Sequence, residues 1–262
     1  MNLVILKSMC GQKQKALKIC AIASIKPSFI VLLENRGSIM HPSYHPSYYR
    51  LKYNRQKYRD KVFQVLATYL QKFTPNGKVL EIGGGFCSFI NAISSQEKSV
   101  VESGEHIKEY ANGDVKVFVQ QYNKLDNFKT NYFDAIFVSN AFEYLEKIQF
   151  EEMVAEIKRV LKADGTFIAV LPDQKALGDA YFDDYRRNLV FTSASFIDVL
   201  QSNDFYVVLN KPKLLPEEFT SFIFSSAFLT KLYFASPIRP FSRNMLIVAI
   251  NKKSTIQEYL ES

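Results

Sequence analysis

Val79-Leu80-Glu81-Ile82-Gly83-Gly84-Gly85-Phe86-Cys87 decides how this chain is read. The apolar residues around Glu81 predict a short buried strand over 78–82, running straight into three glycines and then into a helical stretch over 86–93. Glycine reaches backbone angles that a Cβ forbids and puts no side chain between main chain and ligand. Strand, glycine turn and helix start therefore make a place where the backbone can approach a nucleotide-like group.

Upstream of the turn, residues 58–73 predict a helix. Val62, Val65, Leu66, Tyr69 and Leu70 share one face, and Lys61, Gln64, Thr68 and Gln71 take the other. Thr74-Pro75-Asn76-Gly77 ends that helix. Downstream, strands are expected over 99–102, 115–119, 132–139 and 166–171. A helix over 148–161 carries the stripe Phe150, Met153, Val154, Ile157, Val160 and Leu161, and Asp164-Gly165 turns it into the fifth strand. A helix over 192–200 and strands over 205–209 and 244–250 complete the pattern. Strands alternating with helices at short intervals give a doubly wound α/β sheet with a parallel centre. Ligands of such a sheet sit beyond the C-terminal strand ends, where Gly83, Gly84, Gly85, Glu102, Gln121, Asn140 and the residues after Pro172 should converge. Glu102 stands at the spacing at which nucleotide-binding half-folds place a carboxylate for ribose hydroxyls.

The formal charge of the 262 residues is +7, with the surplus concentrated in the N-terminal third. That field favours an acidic surface or substrate, although a solvated basic face is the plainer reading. No zinc-finger spacing, recognition helix or alternating stacking aromatics accompany it, so nucleic acid is not the expected partner. Cys10, Cys20 and Cys87 have no metal-ligand spacing and fit a reducing compartment. No uncharged run is long enough to cross a bilayer and no secretory signal is evident, so a cytoplasmic protein is expected; peripheral membrane contact stays open. Residues 1–40 read as an N-terminal extension with strands over 3–6 and 29–33 and a helix over 16–25; residues 41–76 read as a helical cap. The repeat His41-Pro42-Ser43-Tyr44-His45-Pro46-Ser47-Tyr48-Tyr49 holds two histidines without a carboxylate or cysteine at ligand spacing, so a tyrosine-packed turn is preferred and no metal is expected. The Phe-rich insertion over 211–243 either caps the core or receives an apolar acceptor or partner.

In this order, Val79 to Gly85, Val101-Glu102, Phe133 to Asn140, Glu156 to Thr166 and the closing strand resemble a class I S-adenosylmethionine-dependent methyltransferase, over residues 77–250. The resemblance implies a doubly wound, seven-stranded, Rossmann-like methyltransferase sheet, mostly parallel with one antiparallel strand, in a domain spanning 77–251. It implies S-adenosyl-L-methionine as cofactor and methyl transfer as activity. Phe89-Ile90-Asn91, Ser139 to Leu145, Tyr181-Phe182-Asp183-Asp184-Tyr185 and residues 234–245 are similar to a bacterial branch associated with surface-polysaccharide or other glycan biosynthesis. That narrower likeness implies a sugar hydroxyl as acceptor.

Carried over residue by residue, Glu81, Gly83 and Gly85 line the methionine part of the cofactor and Glu102 holds the ribose. Gln121 and Tyr122 lie near the adenine, and Asn140 and Ala141 beside the transferring methyl. A hydroxyl acceptor profits from a nearby base. The candidates are Asp183, Asp184 and Glu143, with the aspartates preferred. Tyr144, Tyr185, Arg186 and Arg187 are the candidate acceptor contacts, the arginines suiting a phosphate or carboxylate. Three departures stand out: Cys87 replaces a frequent third glycine, Tyr144 and Arg187 replace frequent histidines, and bulk at Cys87 is expected to tighten the cofactor pocket. An active enzyme with a modified acceptor site is the first reading. The alternatives are a nicotinamide-dependent oxidoreductase and a noncatalytic cofactor- or anion-binding protein.

Overall fold

The apolar runs after Lys78 pair into one sheet. Its strands are β1 (Lys78–Ile82), β2 (Glu97–Glu102), β3 (Val115–Val119), β4 (Phe133–Ser139), β5 (Leu161–Pro172), β6 (Phe205–Leu215) and β7 (Asn244–Asn251), in the order β3-β2-β1-β4-β5-β7-β6. The structure is a computed structural model that describes residues 58–252 except 122, 217, 218 and 220. They belong to one of two compact units, Pro46–Ser262; the other, Met1–His45, lies outside the described residues, as do the strands and helix expected over 1–40, the histidine repeat and Tyr122.

Pairing is parallel from β3 through β5, and β7 runs antiparallel between β5 and β6. The doubly wound, mostly parallel sheet expected from the sequence is therefore present. β1 and β4 are buried nearly throughout, as strands covered on both faces must be. β6 alternates half-buried and exposed positions along most of its length at the sheet edge, where Pro212 is tolerated because an edge strand can forgo an N–H.

Six α-helices accompany the sheet among the described residues: α1 (Arg59–Leu70), α2 (Ile107–Tyr110), α3 (Lys147–Val160), α4 (Gln174–Leu177), α5 (Ser193–Ser202) and α6 (Ala227–Ala235). α1 buries Val62, Phe63, Val65, Leu66, Ala67 and Leu70. α3 buries the stripe Phe150, Met153, Val154, Ile157 and Val160. Thr192 caps α5 by accepting from the Ser195 amide. Phe89 stacks on Phe137 with ring centroids 3.7 Å apart and so fastens the segment after the glycines to β4.

Several boundaries moved for physical reasons. The helical stretch expected over 86–93 is a series of turns. Asn91 donates to the Cys87 carbonyl and Ile93 to that of Phe89, but the Ile90 amide donates to Glu81 Oε2 at 3.0 Å instead of to Phe86. A buried carboxylate thus takes the donor that would continue the helix. β5 starts at Leu161 because the Asp164-Gly165 turn is absorbed as a bulge: Phe133 pairs with Leu161, and Ala135 with Thr166. β6 extends to Leu215 and takes up the start of the expected insertion. In the remainder of that insertion Phe219, Phe224, Tyr233 and Phe234 are buried, Phe219 lying 6.0 Å from Phe63 and Phe234 6.0 Å from Tyr69 on α1.

Candidate functional site

The glycine turn is shaped by its own backbone. Gly83 has φ +68°, and a Cβ there would come 2.6 Å from the Ala141 Cβ, so β1 and the loop after β4 touch only because Gly83 has no side chain. Gly85 has φ +54°, and a Cβ there would point into open space. The first contact closes the floor, and the second leaves a cradle.

β2 supplies the other wall. Glu102 is buried at the strand end; its Oε2 accepts from the Gly85 amide at 3.0 Å and its Oε1 from the Ser103 amide at 2.7 Å and the Ser103 hydroxyl at 3.1 Å. Phe86 meets Tyr110 edge-on at 4.9 Å, and His106 lies 6.3 Å from the Phe86 ring. Glu81 is buried beneath the turn. Burial is the main force pushing its carboxyl up to about 8; the Ile90 amide and the charge of Arg59 pull the other way, and Glu102 adds to the rise.

α1 contributes residues that the sequence alone did not single out. Ser88 Oγ donates to Asp60 Oδ1 at 2.7 Å and accepts from Arg59 Nε at 3.2 Å, while the Arg59 guanidinium lies 4.4 Å over the Phe63 ring. Arg59 is one of many basic residues in the N-terminal third, and nothing in its local pattern separates it from the rest. Only the tertiary packing of α1 against the turn does.

Cys87 has a left-handed backbone, at φ +57°, a conformation costing roughly 1–2 kcal/mol for a residue with a Cβ. Its side chain is fully buried and joins the core cluster with Phe89, Ile90 and Phe137. The expected tightening of the cofactor pocket by Cys87 is thereby corrected, since the thiol is part of the core. Burial, then the charges of Glu81 and Glu102, push that thiol well above its usual range.

β4 ends on Ser139 and leads to Asn140, which has φ +48°, a conformation asparagine tolerates better than most residues. Its amide donates to the Val170 carbonyl at 2.9 Å, whereas its Oδ1 is buried without a hydrogen-bond partner. Gln121 is exposed on the loop after β3, where the neighbouring Gln120 amide donates to the Glu102 carbonyl at 2.9 Å.

A second set of residues joins the loop after β4 to the loop after α4. The Glu143 carbonyl accepts from the Asn188 amide at 2.8 Å and the Leu189 amide at 3.1 Å. Arg186 and Asp184, with side chains 5% and 7% exposed, form a two-pronged pair at 2.7 and 2.5 Å. The Tyr144 hydroxyl donates to Asp184 Oδ2 at 3.2 Å and accepts from Arg186 at 3.1 Å, and the guanidinium lies 4.5 Å over its ring. Burial first, then neighbouring Glu143, hold the Tyr144 phenol well above its ordinary range, so it stays a donor at neutral pH. Arg187 donates to the Tyr181 carbonyl at 2.7 Å and lies over the Tyr181 ring. Asp183 and Tyr185 are exposed, and the Glu143 side chain is buried.

The structure thus brings Glu81, Gly83, Gly85, Glu102, Asn140 and Ala141 to one end of the parallel strands. Asp184 and Arg186 are turned on each other, and Gln121 stands at the periphery. The residues suit the cofactor that the sequence pattern implies. The Gly85 cradle has room where a Cβ would stand, Glu102 Oε2 keeps acceptor capacity beyond its bond to Gly85, and the buried Asn140 Oδ1 is an acceptor with its bond still to make.

Residues 80–169 match the family described as a methyltransferase domain. No curated protein matches the chain. Among solved structures, an S-adenosylmethionine-dependent methyltransferase from Archaeoglobus fulgidus is similar, with 18% identity over 73% of this chain and 94% of that one and a TM-score of 0.56. Geranyl diphosphate methyltransferase in complex with S-adenosylmethionine has 14% identity over 82% and 93%, with a TM-score of 0.52. The YcgJ protein from Bacillus subtilis has 16% identity over 74% and 99%, with a TM-score of 0.51. With the strand order and the antiparallel seventh strand, these likenesses give the chain the class I S-adenosylmethionine-dependent methyltransferase fold.

Proposed function

We propose that this protein binds S-adenosylmethionine and transfers its methyl group to a hydroxyl of a sugar or glycan precursor by direct displacement. The observation that carries the cofactor half is the bond from the Gly85 amide to Glu102, which joins the glycine cradle to a carboxylate at the end of β2. When bound, the cofactor supplies an electrophilic methyl on a sulfonium with a good leaving group.

The chain's own part is to bind, orient and manage one proton. Glu102 offers Oε2 to ribose hydroxyls, Gly85 admits the backbone-close part of the cofactor, and Gly83 lets the turn beneath it close on Ala141. Asn140 presents its Oδ1 beside the site. Of the three candidate bases, Asp184 is held by Arg186 and the Glu143 side chain is enclosed, so we assign proton acceptance from the hydroxyl to the exposed Asp183. Tyr185, exposed beside it, is assigned to the acceptor, and the Asp184–Arg186–Tyr144 set to holding the acceptor loop. The glycan class rests on the sequence likeness over 139–145 and 181–185 and on those exposed polar and aromatic groups.

Calorimetric titration with S-adenosylmethionine and with nicotinamide nucleotides, followed by transfer of labelled methyl to fractionated glycan precursors, tests both halves. Nicotinamide binding without S-adenosylmethionine binding overturns the cofactor half. Labelling of protein or nucleic acid alone overturns the glycan half.

A further inference from the structure

The segment that joins β6 to β7 has an outer face that core packing does not explain. Its inner side is committed to α1 through Phe219 and Phe234. The same segment exposes Phe222, Phe228, Leu232, Ile238 and Phe241, the last two by 78% and 79%. Phe228 and Leu232 stand four residues apart on α6 and so share one helix face. Single exposed apolar residues are ordinary, but a group of this size within one short segment marks a contact surface.

Between Phe219 and Arg243 the charge has one sign. From Phe219 to Arg243 the chain carries Lys231, Arg239 and Arg243 and no carboxylate; Glu217 and Glu218 precede it. Lys231 is exposed on α6 itself. Lys61 of α1 donates to the Ser225 carbonyl at 2.8 Å, and Arg239 donates to the Lys213 carbonyl at 3.1 Å, which brings exposed Lys61 and Lys213 to the rim. The position is also informative. Leu215 pairs with Asn244 and Asn244 with Pro172, so the segment leaves and rejoins the sheet at the strand end that carries the site.

Large aromatic and aliphatic side chains ringed by lysines complement an anionic bilayer. The rings enter the boundary between headgroups and acyl chains while the ammonium groups meet lipid phosphates. A second copy of this chain would bring the same basic rim against itself. We propose that this face docks the protein on an anionic lipid surface, holding the site's end of the sheet at the membrane. The docking stands apart from the transfer chemistry and is tested separately from it.

The test is co-sedimentation of the full chain with vesicles of phosphatidylcholine alone or mixed with phosphatidylglycerol, at low and high salt. Binding to the anionic vesicles is expected to be at least about tenfold tighter than to the neutral ones and to weaken with salt. Phe228→Asp with Leu232→Asp should weaken it at least about tenfold while leaving the melting temperature unchanged. Lys213→Glu with Lys231→Glu should remove most of the preference for anionic lipid. Equal binding to both vesicles, binding to neither, or binding indifferent to the aspartate pair overturns the proposal. So does a dimer that the aspartate pair dissolves, which would give the face to a second copy. Vesicle binding that emerges only after residues 1–57 are removed overturns it too, giving the face to the chain's own N-terminal segment.

Discussion

The Gly85 amide donates to Glu102 Oε2 at 3.0 Å, so one carboxylate fastens the turn after β1 to the end of β2. Oε1 of the same group is taken by the Ser103 amide and hydroxyl. Any ribose contact must therefore use the remaining capacity of Oε2. Glu102→Ala removes that contact and loosens the turn together. Hydrogen bonds to a charged group are worth about 1.5–3 kcal/mol, so S-adenosylmethionine affinity by calorimetry should fall roughly 10–100-fold. Glu102→Gln keeps one acceptor and should fall less. Unchanged affinity in both variants would remove Glu102 from the site.

Gly83 and Gly85 separate folding from binding. Alanine at 83 meets the Ala141 Cβ and must adopt φ +68°. Gly83→Ala should lower stability by about 1–3 kcal/mol in denaturant titrations, through overpacking and strain. Alanine at 85 meets nothing and carries only the cost of φ +54°. Gly85→Ala should lose roughly 1–2 kcal/mol of stability from that backbone alone, with its main effect a weaker cofactor affinity. If both variants lost only stability, the open space at Gly85 would have no ligand role.

Glu81 gives the fold a pH dependence of definite sign. Its carboxyl titrates at about 8 when folded against an ordinary 4.5, chiefly because it is buried. Between those values the folded chain holds a proton that the unfolded chain has released, so stability falls as pH rises through that window and is fully reduced above it. The loss should be on the order of a few kcal/mol. Glu81→Gln should flatten this slope in melting curves from pH 5 to pH 8.5. A slope identical to the parent's would assign the dependence to other groups.

Much of this arrangement was legible in the residues because it is local. The runs at β1, β3 and β4 are short, apolar and bounded by turn formers, and the stripe of α3 repeats at the helical period. What escaped depends on partners far along the chain. Residues 86–93 have helical spacing, yet the Ile90 amide is claimed by Glu81, and only the fold places that carboxylate there. Cys87 suggested a crowded pocket from its position in the motif, but the direction of a side chain at φ +57° is set by tertiary packing, which takes it into the core. The engagement of Asp184 by Arg186 was hidden for a similar reason: residues two apart do not face each other in regular helix, and the intervening loop bends to make them do so.

Asp183 and Asp184 are adjacent in sequence but divided in role by their surroundings. Asp184 and Arg186 form a nearly buried pair that also holds the Tyr144 hydroxyl. Removing one member of such a pair leaves the other charge without its counter-ion, at a cost of about 3–5 kcal/mol. Asp184→Asn should therefore lower the melting temperature. Tyr144→Phe, which removes one hydroxyl bonded to both charged groups but leaves the pair intact, should cost less, about 1.5–3 kcal/mol. Asp183 is exposed, so Asp183→Asn should leave the melting temperature unchanged. If it accepts the acceptor's proton, the variant should bind S-adenosylmethionine like the parent and lose about 10²–10⁴-fold in the transfer rate. A parental rate in Asp183→Asn would exclude it as the base and turn the search to the enclosed Glu143.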